Sequence, residues 1–399
     1  MSALPAAPDL ACPTPRPWPL PWIAPGLLVE EVCTEGHLAE FLALPQRLHA
    51  DDPAFVPAIQ AWLRRRLSAR NPFLAQADLR LFQVRRDGEV VGTISALRDP
   101  QHEAVHGEAV AFFGFFCCED DAEVARALLD RVSEVARGWG ATRLRGPRNL
   151  SRIEKVGLTV EGFDTAPPFL AGHHPRHARR LLEELGFTAH HDVLAYDISL
   201  RNAQGKPRPL PPDLAAKAAA VDIPGLQLRP LRWSQWRRDL RLAHEVFVDA
   251  FREVPDNTPM PLRQWTSLGG GLLLCTRRHM LQLATVHGGA AGFALCFPEI
   301  NEALVAARGS LLPLGALRAL AAFPNIRTAS FKLLGVLPEW RGSGLHAALI
   351  AQAIEGVRDS GYDRLEASLI DERNGPMRHV VEAAGMQVYR RYRVYGRAL

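Results

Sequence analysis

The sequence lacks what would tie it to a membrane or to nucleic acid. No uninterrupted apolar run reaches the ~18 residues that span a bilayer. The first 25 residues, MSALPAAPDLACPTPRPWPLPWIAP, have neither a basic start nor a continuous apolar centre. They read as a proline-rich disordered tail, not a signal peptide. An excess of one charge is also missing: 47 Lys and Arg against 43 Asp and Glu leave a net +4. A nucleic-acid surface needs a concentrated basic face, so none is expected. The six cysteines (Cys12, Cys33, Cys117, Cys118, Cys275, Cys296) contain no C-x-x-C pair. They read as small buried hydrophobes of a reducing compartment. The expectation is a soluble cytoplasmic protein with no membrane span.

What is present is length and repetition. At 399 residues the chain exceeds the size at which one core stops growing, so two domains are expected. LFQVRRDGEVVGTISALRDP, from Leu81, aligns with LQLATVHGGAAGFALCFPEI, from Leu281. Each reads strand, glycine turn, strand, which is a hairpin. LLEELGFTAHHDVLAYDISL, from Leu181, aligns with VVEAAGMQVYRRYRVYGRAL, from Val380, matching Glu183, Gly186, Tyr196 and Leu200 to Glu382, Gly385, Tyr395 and Leu399. The two offsets agree to one residue. The chain therefore reads as two copies of one α/β module, 27–200 and 226–399, after the tail 1–26 and joined by a proline- and alanine-rich linker, 201–225. Within each copy the order is helix, hairpin, third strand (109–118 or 328–337), helix (122–138 or 345–360), strand, glycine-ended helix and last strand. Strand–helix–strand order implies a parallel crossover within a mixed sheet.

The corner RGSG in LGVLPEWRGSGLHAALI joins the third strand of the second copy to a helix. The first N–H groups of a helix have no intrahelical partner and carry the positive end of its dipole. Gly342 and Gly344 let the backbone curl around a ligand, and Arg341 adds charge, so the corner suits a phosphate or pyrophosphate. The first copy places Glu119, Asp120, Asp121 and Glu123 at the same corner, where they would repel that anion. One anion site is expected, in the second copy.

These residues resemble the acyl-CoA binding motif of the GNAT superfamily of N-acyltransferases. Arg341, Gly344 and His346 fall on its three marked positions, and Asn374 and Gly385 keep the register of the motif that follows. The resemblance covers 226–399 well, whereas 27–200 matches in order of elements but not at the loop. It implies two tandem GNAT-like domains of mixed α+β sheet, the first degenerate, and an N-acyltransferase using acetyl-CoA or another acyl-CoA on a small-molecule or peptide amine. Leu334, Gly335 and Val336 would pair with the pantetheine arm. Arg341, Gly342, Ser343, Gly344, Leu345 and His346 would hold the pyrophosphate, with His346 standing where glycine or alanine is usual. Asn374 would position pantetheine or its helix. The tyrosine that often protonates the leaving thiolate falls on Val381, with Tyr389 and Tyr392 as replacements. Glu372 and Glu299 are candidate proton acceptors, both otherwise read as solvated carboxylates. The alternative is an inactive CoA-binding or protein-interaction module of the same fold.

Three further stretches are read without a role in chemistry. His173, His174, His177, His190 and His191 lack a cysteine or carboxylate at a recognised ligand spacing, so no metal is expected and they read as exposed loop residues. Arg64, Arg65 and Arg66 read as a solvated helix face. SLLPLGALRALAAF, from Ser310, reads as an apolar helix covering the cleft or packing on the other domain.

Overall fold

The computed structural model describes residues 26–273, 275–307 and 313–399. The proline-rich stretch 1–25 lies outside the described residues. Two compact units emerge, and each takes its last strand from the other repeat. Of the described residues, the first holds 26–193, 307, 313–316 and 391–399, and the second holds those within 194–306 and 317–390.

The first unit runs β1 (Leu27–Glu31), α1 (Glu35–Leu48), α2 (Gln60–Arg66), β2 (Asp78–Arg86), β3 (Glu89–Arg98), α3 (Pro100–His106), β4 (Val110–Cys118), α4 (Ala122–Gly138), β5 (Arg143–Gly146), β6 (Leu158–Glu161), α5 (His177–Glu184) and the start of β7 (Thr188–Ser199). The second runs from the end of β7 through α6 (Pro212–Ala219), β8 (Leu226–Pro230), α7 (Trp236–Ala250), α8 (Leu262–Leu273), β9 (Leu281–Val286), β10 (Gly289–Pro298), α9 (Asn301–Ala307), α10 (Pro313–Ala322), β11 (Thr328–Val336), α11 (Leu345–Asp359), β12 (Arg364–Asp371) and α12 (Gly375–Ala383) to β13 (Gln387–Ala398). From Arg391 onward, β13 belongs to the first unit.

The expected mixed sheets are present. In the first unit β1 to β4 are antiparallel neighbours, β5 is parallel to β4, and β13 lies antiparallel on β5. In the second, β8 to β11 are antiparallel neighbours, β12 is parallel to β11, and β7 lies beyond β12. The matching hairpins turn on matching residues: Asp87–Gly88 and His287–Gly288 all have positive φ. Both central residues of the tight turn that suits twisted strands need this geometry.

The repeat that aligned Glu183 with Glu382 and Tyr196 with Tyr395 is crossed in space. Tyr196 donates its hydroxyl to Glu382 at 2.9 Å in the second unit, and Tyr395 donates to Glu183 at 3.0 Å in the first. Burial, with the Glu183 carboxylate, pushes the Tyr395 phenol up to about 12.

The stretch read as a linker is structured. Arg201 and Pro207 form a bridge, and α6 packs on α11. Among the cysteines, Cys117, Cys118, Cys275 and Cys296 are free thiols. Cys33 corrects the reading that all are reduced, because it is disulfide-bonded.

Candidate functional site

The parallel pair β11/β12 opens into a cleft. Pairing runs from Thr328↔Arg364 to Phe331↔Ala367 and stops there, although both strands continue. The cause is local. The β10/β11 register shifts so that Leu295 faces Leu333 while Cys296 faces Phe331, leaving Lys332 as the extra residue of a bulge. Leu369 on β12 has φ +56°. Bulges bend a strand and end its pairing. Beyond Phe331, Leu334, Gly335 and Val336 pair with β10 only, and among the described residues the edge toward β12 has no ladder partner. Gly335 is a packing glycine: a Cβ there would sit 2.8 Å from the Phe293 ring.

The corner that follows keeps the predicted geometry. Gly342 and Gly344 have φ of +80° and +82°, and the space a Cβ would take at Gly342 is open. Some amides are satisfied internally: Arg341 donates to Pro338 at 3.1 Å, and Ser343 reaches the Trp340 carbonyl at 3.4 Å. Leu345, a core residue, reaches the Ser343 hydroxyl at 3.4 Å. Among the described residues the N–H groups of Gly342, Gly344 and His346 meet no protein acceptor. The Arg341 guanidinium lies on Glu253 at 2.7 Å in an exposed pair, the kind that contributes little and is readily exchanged. His346 is half-buried. Burial, with Lys217 acting on it, pulls its imidazole below the ordinary value. Lys217 is a charge the sequence reading missed, because α6 brings it from the supposed linker.

Asn374 caps α12, accepting the Met377 N–H at 3.3 Å. Glu372 is half-buried beside Arg378, which reaches its carbonyl. Glu299 is not a solvated carboxylate: it is buried, and accepts from the Asn301 N–H and the Ser330 hydroxyl, each at 3.2 Å. It belongs to a polar group on β11 and β12. The buried Glu366 carboxylate takes the Ser330 hydroxyl and, at 3.3 Å, Lys332 Nζ, which also reaches Ser368. Glu366 Oε1 is buried without a partner. Alternation in RLEASLID, with Glu366 between Leu365 and Ala367, was the available signal for this residue.

The opposite face of the same strands is apolar. Phe331, Leu365 and Ala367 line a cavity of about 420 Å³ with Ile350 and Ile354 of α11 and Val381 of α12. Val381, where the family register has tyrosine, is thus a wall residue. Tyr392 is fully buried in the first unit, and Tyr389 lies against Arg364, its ring centroid 5.0 Å from the guanidinium.

In the first unit the corresponding cleft is closed by the chain itself. Parallel pairing ends at Phe112↔Arg145, and the next residues then lie on the freed edge of β4. The Arg148 N–H donates to the Phe113 carbonyl at 2.7 Å, and Asn149 accepts the Phe115 N–H at 2.8 Å. A Cβ at Gly114 would come within 2.3 Å of the Arg148 carbonyl. The helix start is closed as well, since Asp121 caps α4 and pairs with Arg86.

Other residues stand where local sequence did not place them. Arg66 is buried and bidentate on Glu154, at 2.9 and 2.6 Å. His173 is half-buried with its side chain enclosed on Asp52 at 2.7 Å, His177 bonds the Cys118 carbonyl at 2.9 Å, and His191 is buried on β7. Asp52 supplies the carboxylate that spacing did not show, and His49, Asp52 and His173 bring ligand atoms within 4.8 Å of one another. The stretch from Ser310 lies partly outside the described residues; on α10, Leu317 and Leu320 are exposed, not packed. No described helix is long and apolar enough to cross a membrane.

No family model matches the chain. It is 32% identical over 382 residues to a protein of Caulobacter vibrioides named bacterial ceramide synthase, covering 94% of this chain and 98% of that one. It is 27% identical over 375 residues to protein YghO of Escherichia coli, covering 92% and 94%. Among solved structures, a tandem GNAT protein from the clavulanic acid biosynthesis pathway matches with a TM-score of 0.54 at 15% identity over 93% of this chain and 98% of that one. A GCN5-related N-acetyltransferase from Sphaerobacter thermophilus matches with 0.53 at 17% identity, covering 94% and 96%. With its bulged, parting strands followed by a glycine corner, the chain has the fold of the tandem GCN5-related N-acetyltransferases and belongs to the family of the protein named bacterial ceramide synthase.

Proposed function

We propose that the second unit transfers a long acyl group from acyl-CoA to the nitrogen of a long-chain amine. One observation carries this reading: among the described residues the β11 edge toward β12 and the amides of Gly342, Gly344 and His346 meet no protein partner, whereas the matching β4 edge in the first unit is bonded by Arg148 and Asn149. The amides of Gly342, Gly344 and His346, with Lys217 and Arg341 nearby, suit a pyrophosphate. The free edge of Leu334–Val336 suits the amide-rich pantetheine arm, and one of its N–H groups would stabilise the oxyanion. The cavity beyond Phe331 and Ala367 would take the acyl tail. A ceramide is an amide of a fatty acid with a long-chain amino alcohol, so the relative's name favours this pair of substrate classes. The thioester supplies an activated acyl carbon. The amine nitrogen attacks it, the C–S bond breaks, CoA leaves as thiolate, and the amine proton passes to a carboxylate. Glu366, with one bare oxygen, is favoured over Glu372 and Glu299 for that proton.

Calorimetry with dodecanoyl-CoA tests the reading. One site per chain is expected, weakened by Arg341→Glu and unchanged by Asn149→Ala. Two sites, or none, overturn it.

A further inference from the structure

The apolar cavity of the second unit has a charged side that acyl transfer does not use. Its lining runs from the buried Phe331, Leu365 and Ala367 to Arg208 and Arg358. Arg208 is exposed, so the cavity reaches the surface there. Among the described residues no carboxylate lies within ion-pair distance of Arg208 or Arg358. Arg358 Nε is also buried without a hydrogen-bond partner. Desolvation lowers the pKa of Arg358, and Glu355, one turn earlier on α11, acts on it electrostatically without pairing. This is unusual in a chain whose arginines commonly pair with carboxylates, as Arg229 does with Asp239 and Arg364 with Asp197. A buried guanidinium edge left unsatisfied carries a cost that an anion would remove. The wall behind it accepts only hydrocarbon.

We propose that this cavity binds a free fatty acid, its carboxylate on Arg358 and Arg208 and its tail directed toward Phe331 and Ala367. The ligand enters head outward, from the side opposite the glycine corner. Resting on the acyl-tail reading above, it follows that a fatty acid competes with acyl-CoA for hydrocarbon space while leaving the pyrophosphate corner untouched. The full chain would then be inhibited by the acid that thioester hydrolysis of its own acyl donor releases.

The test is direct binding of laurate to the full chain by calorimetry, with dodecanol as the uncharged control. Arg358→Gln is expected to weaken laurate about tenfold or more, as loss of a charge-assisted hydrogen bond does, and to leave dodecanol unchanged. Arg208→Gln should act in the same direction, and Ala367→Phe should abolish laurate binding while CoA without an acyl group still binds. Thermal unfolding checks that each variant folds. Dodecanol binding as tightly as laurate, or laurate binding indifferent to both arginine variants, overturns the proposal. Laurate that binds as expected but fails to compete with dodecanoyl-CoA upholds the fatty-acid site and overturns the acyl-tail reading instead.

Discussion

Under the proposed function the cavity would set the acyl-chain dependence of donor binding, and its size makes that expectation quantitative. Its volume is about 420 Å³. At roughly 30 Å³ per carbon, about a water's share of liquid, it accommodates about fourteen carbons. Each buried methylene is worth up to ~0.8 kcal/mol. Ordering the chain removes roughly half of that, leaving about 0.4 kcal/mol per methylene. Going from acetyl to dodecanoyl adds ten methylenes, hence about 4 kcal/mol, or about a thousandfold in Kd. Beyond about fourteen carbons the gain should stop, because further methylenes have no wall to meet. Ala367→Leu introduces three carbons, about 90 Å³, and should shift that plateau to about eleven. Ala367 is buried at the last paired rung of β11/β12. Added bulk enters existing space, so the loss of stability should fall below the ~1–3 kcal/mol of ordinary overpacking. The assay is Kd for saturated acyl-CoAs from two to eighteen carbons, with and without the substitution. A Kd that is flat from acetyl to dodecanoyl, or a plateau that ignores Ala367→Leu, refutes the assignment of the cavity to the tail.

Three further outcomes follow from named contacts. Glu366→Gln should lower kcat by about 10²–10⁴-fold with the Kd for acyl-CoA unchanged; unchanged turnover across pH 6–9 would return the proton to Glu372, Glu299 or water. Glu154→Gln strips the buried Arg66 of its bidentate partner and should cost about 3–5 kcal/mol in urea unfolding, whereas a loss below about 1 kcal/mol would mean that Arg66 is solvated after all. The His49 imidazole is held at about 4 by burial, with His173 adding repulsion. The unfolded chain therefore takes the proton first as pH falls below ~6.5, and stability drops by about 2 kcal/mol between pH 6.5 and 5; the slope should flatten in His49→Gln.

The corner was legible because its chemistry is local. Two glycines in a strand–helix junction specify positive φ and exposed amides, and Gly342 and Gly344 have that φ. The hairpins were legible for the same reason, since Asp87–Gly88 and His287–Gly288 carry their turn type within two residues. What the sequence did not show depends on partners far along the chain. Arg66 reads as one of three arginines on a solvated helix until Glu154, 88 residues away, reaches it. Lys217 reads as part of a tether because alanine and proline carry no sign of what α6 will pack on. The first copy was expected to be inactive because of its acidic helix start, and Asp121 does cap it. The larger obstacle is the Arg148 backbone and the Asn149 side-chain amide on the β4 edge, which no composition or charge pattern in the first copy announces.

The repeat boundary and the compact units do not coincide, and the strand exchange can be tested as such. Similarity ends the second copy at Leu399, yet 391–399 complete the first unit, and the second unit begins at Leu194. The fragment 226–399 would lack Leu194, Tyr196 and Leu200, all buried in the second core. At about 1.5–3 kcal/mol for each buried side chain, the loss is roughly 5–9 kcal/mol against a total stability of about 5–15. It would also expose Tyr392 and Tyr395, which are fully buried in the first unit. The fragment 194–390 keeps every one of those contacts and sheds the exposed strand. Thermal unfolding followed by circular dichroism should therefore show a cooperative transition for 194–390 and none for 226–399. If 226–399 unfolds cooperatively and binds dodecanoyl-CoA with the affinity of the full chain, the exchanged strands are dispensable and the similarity boundary is the physical one.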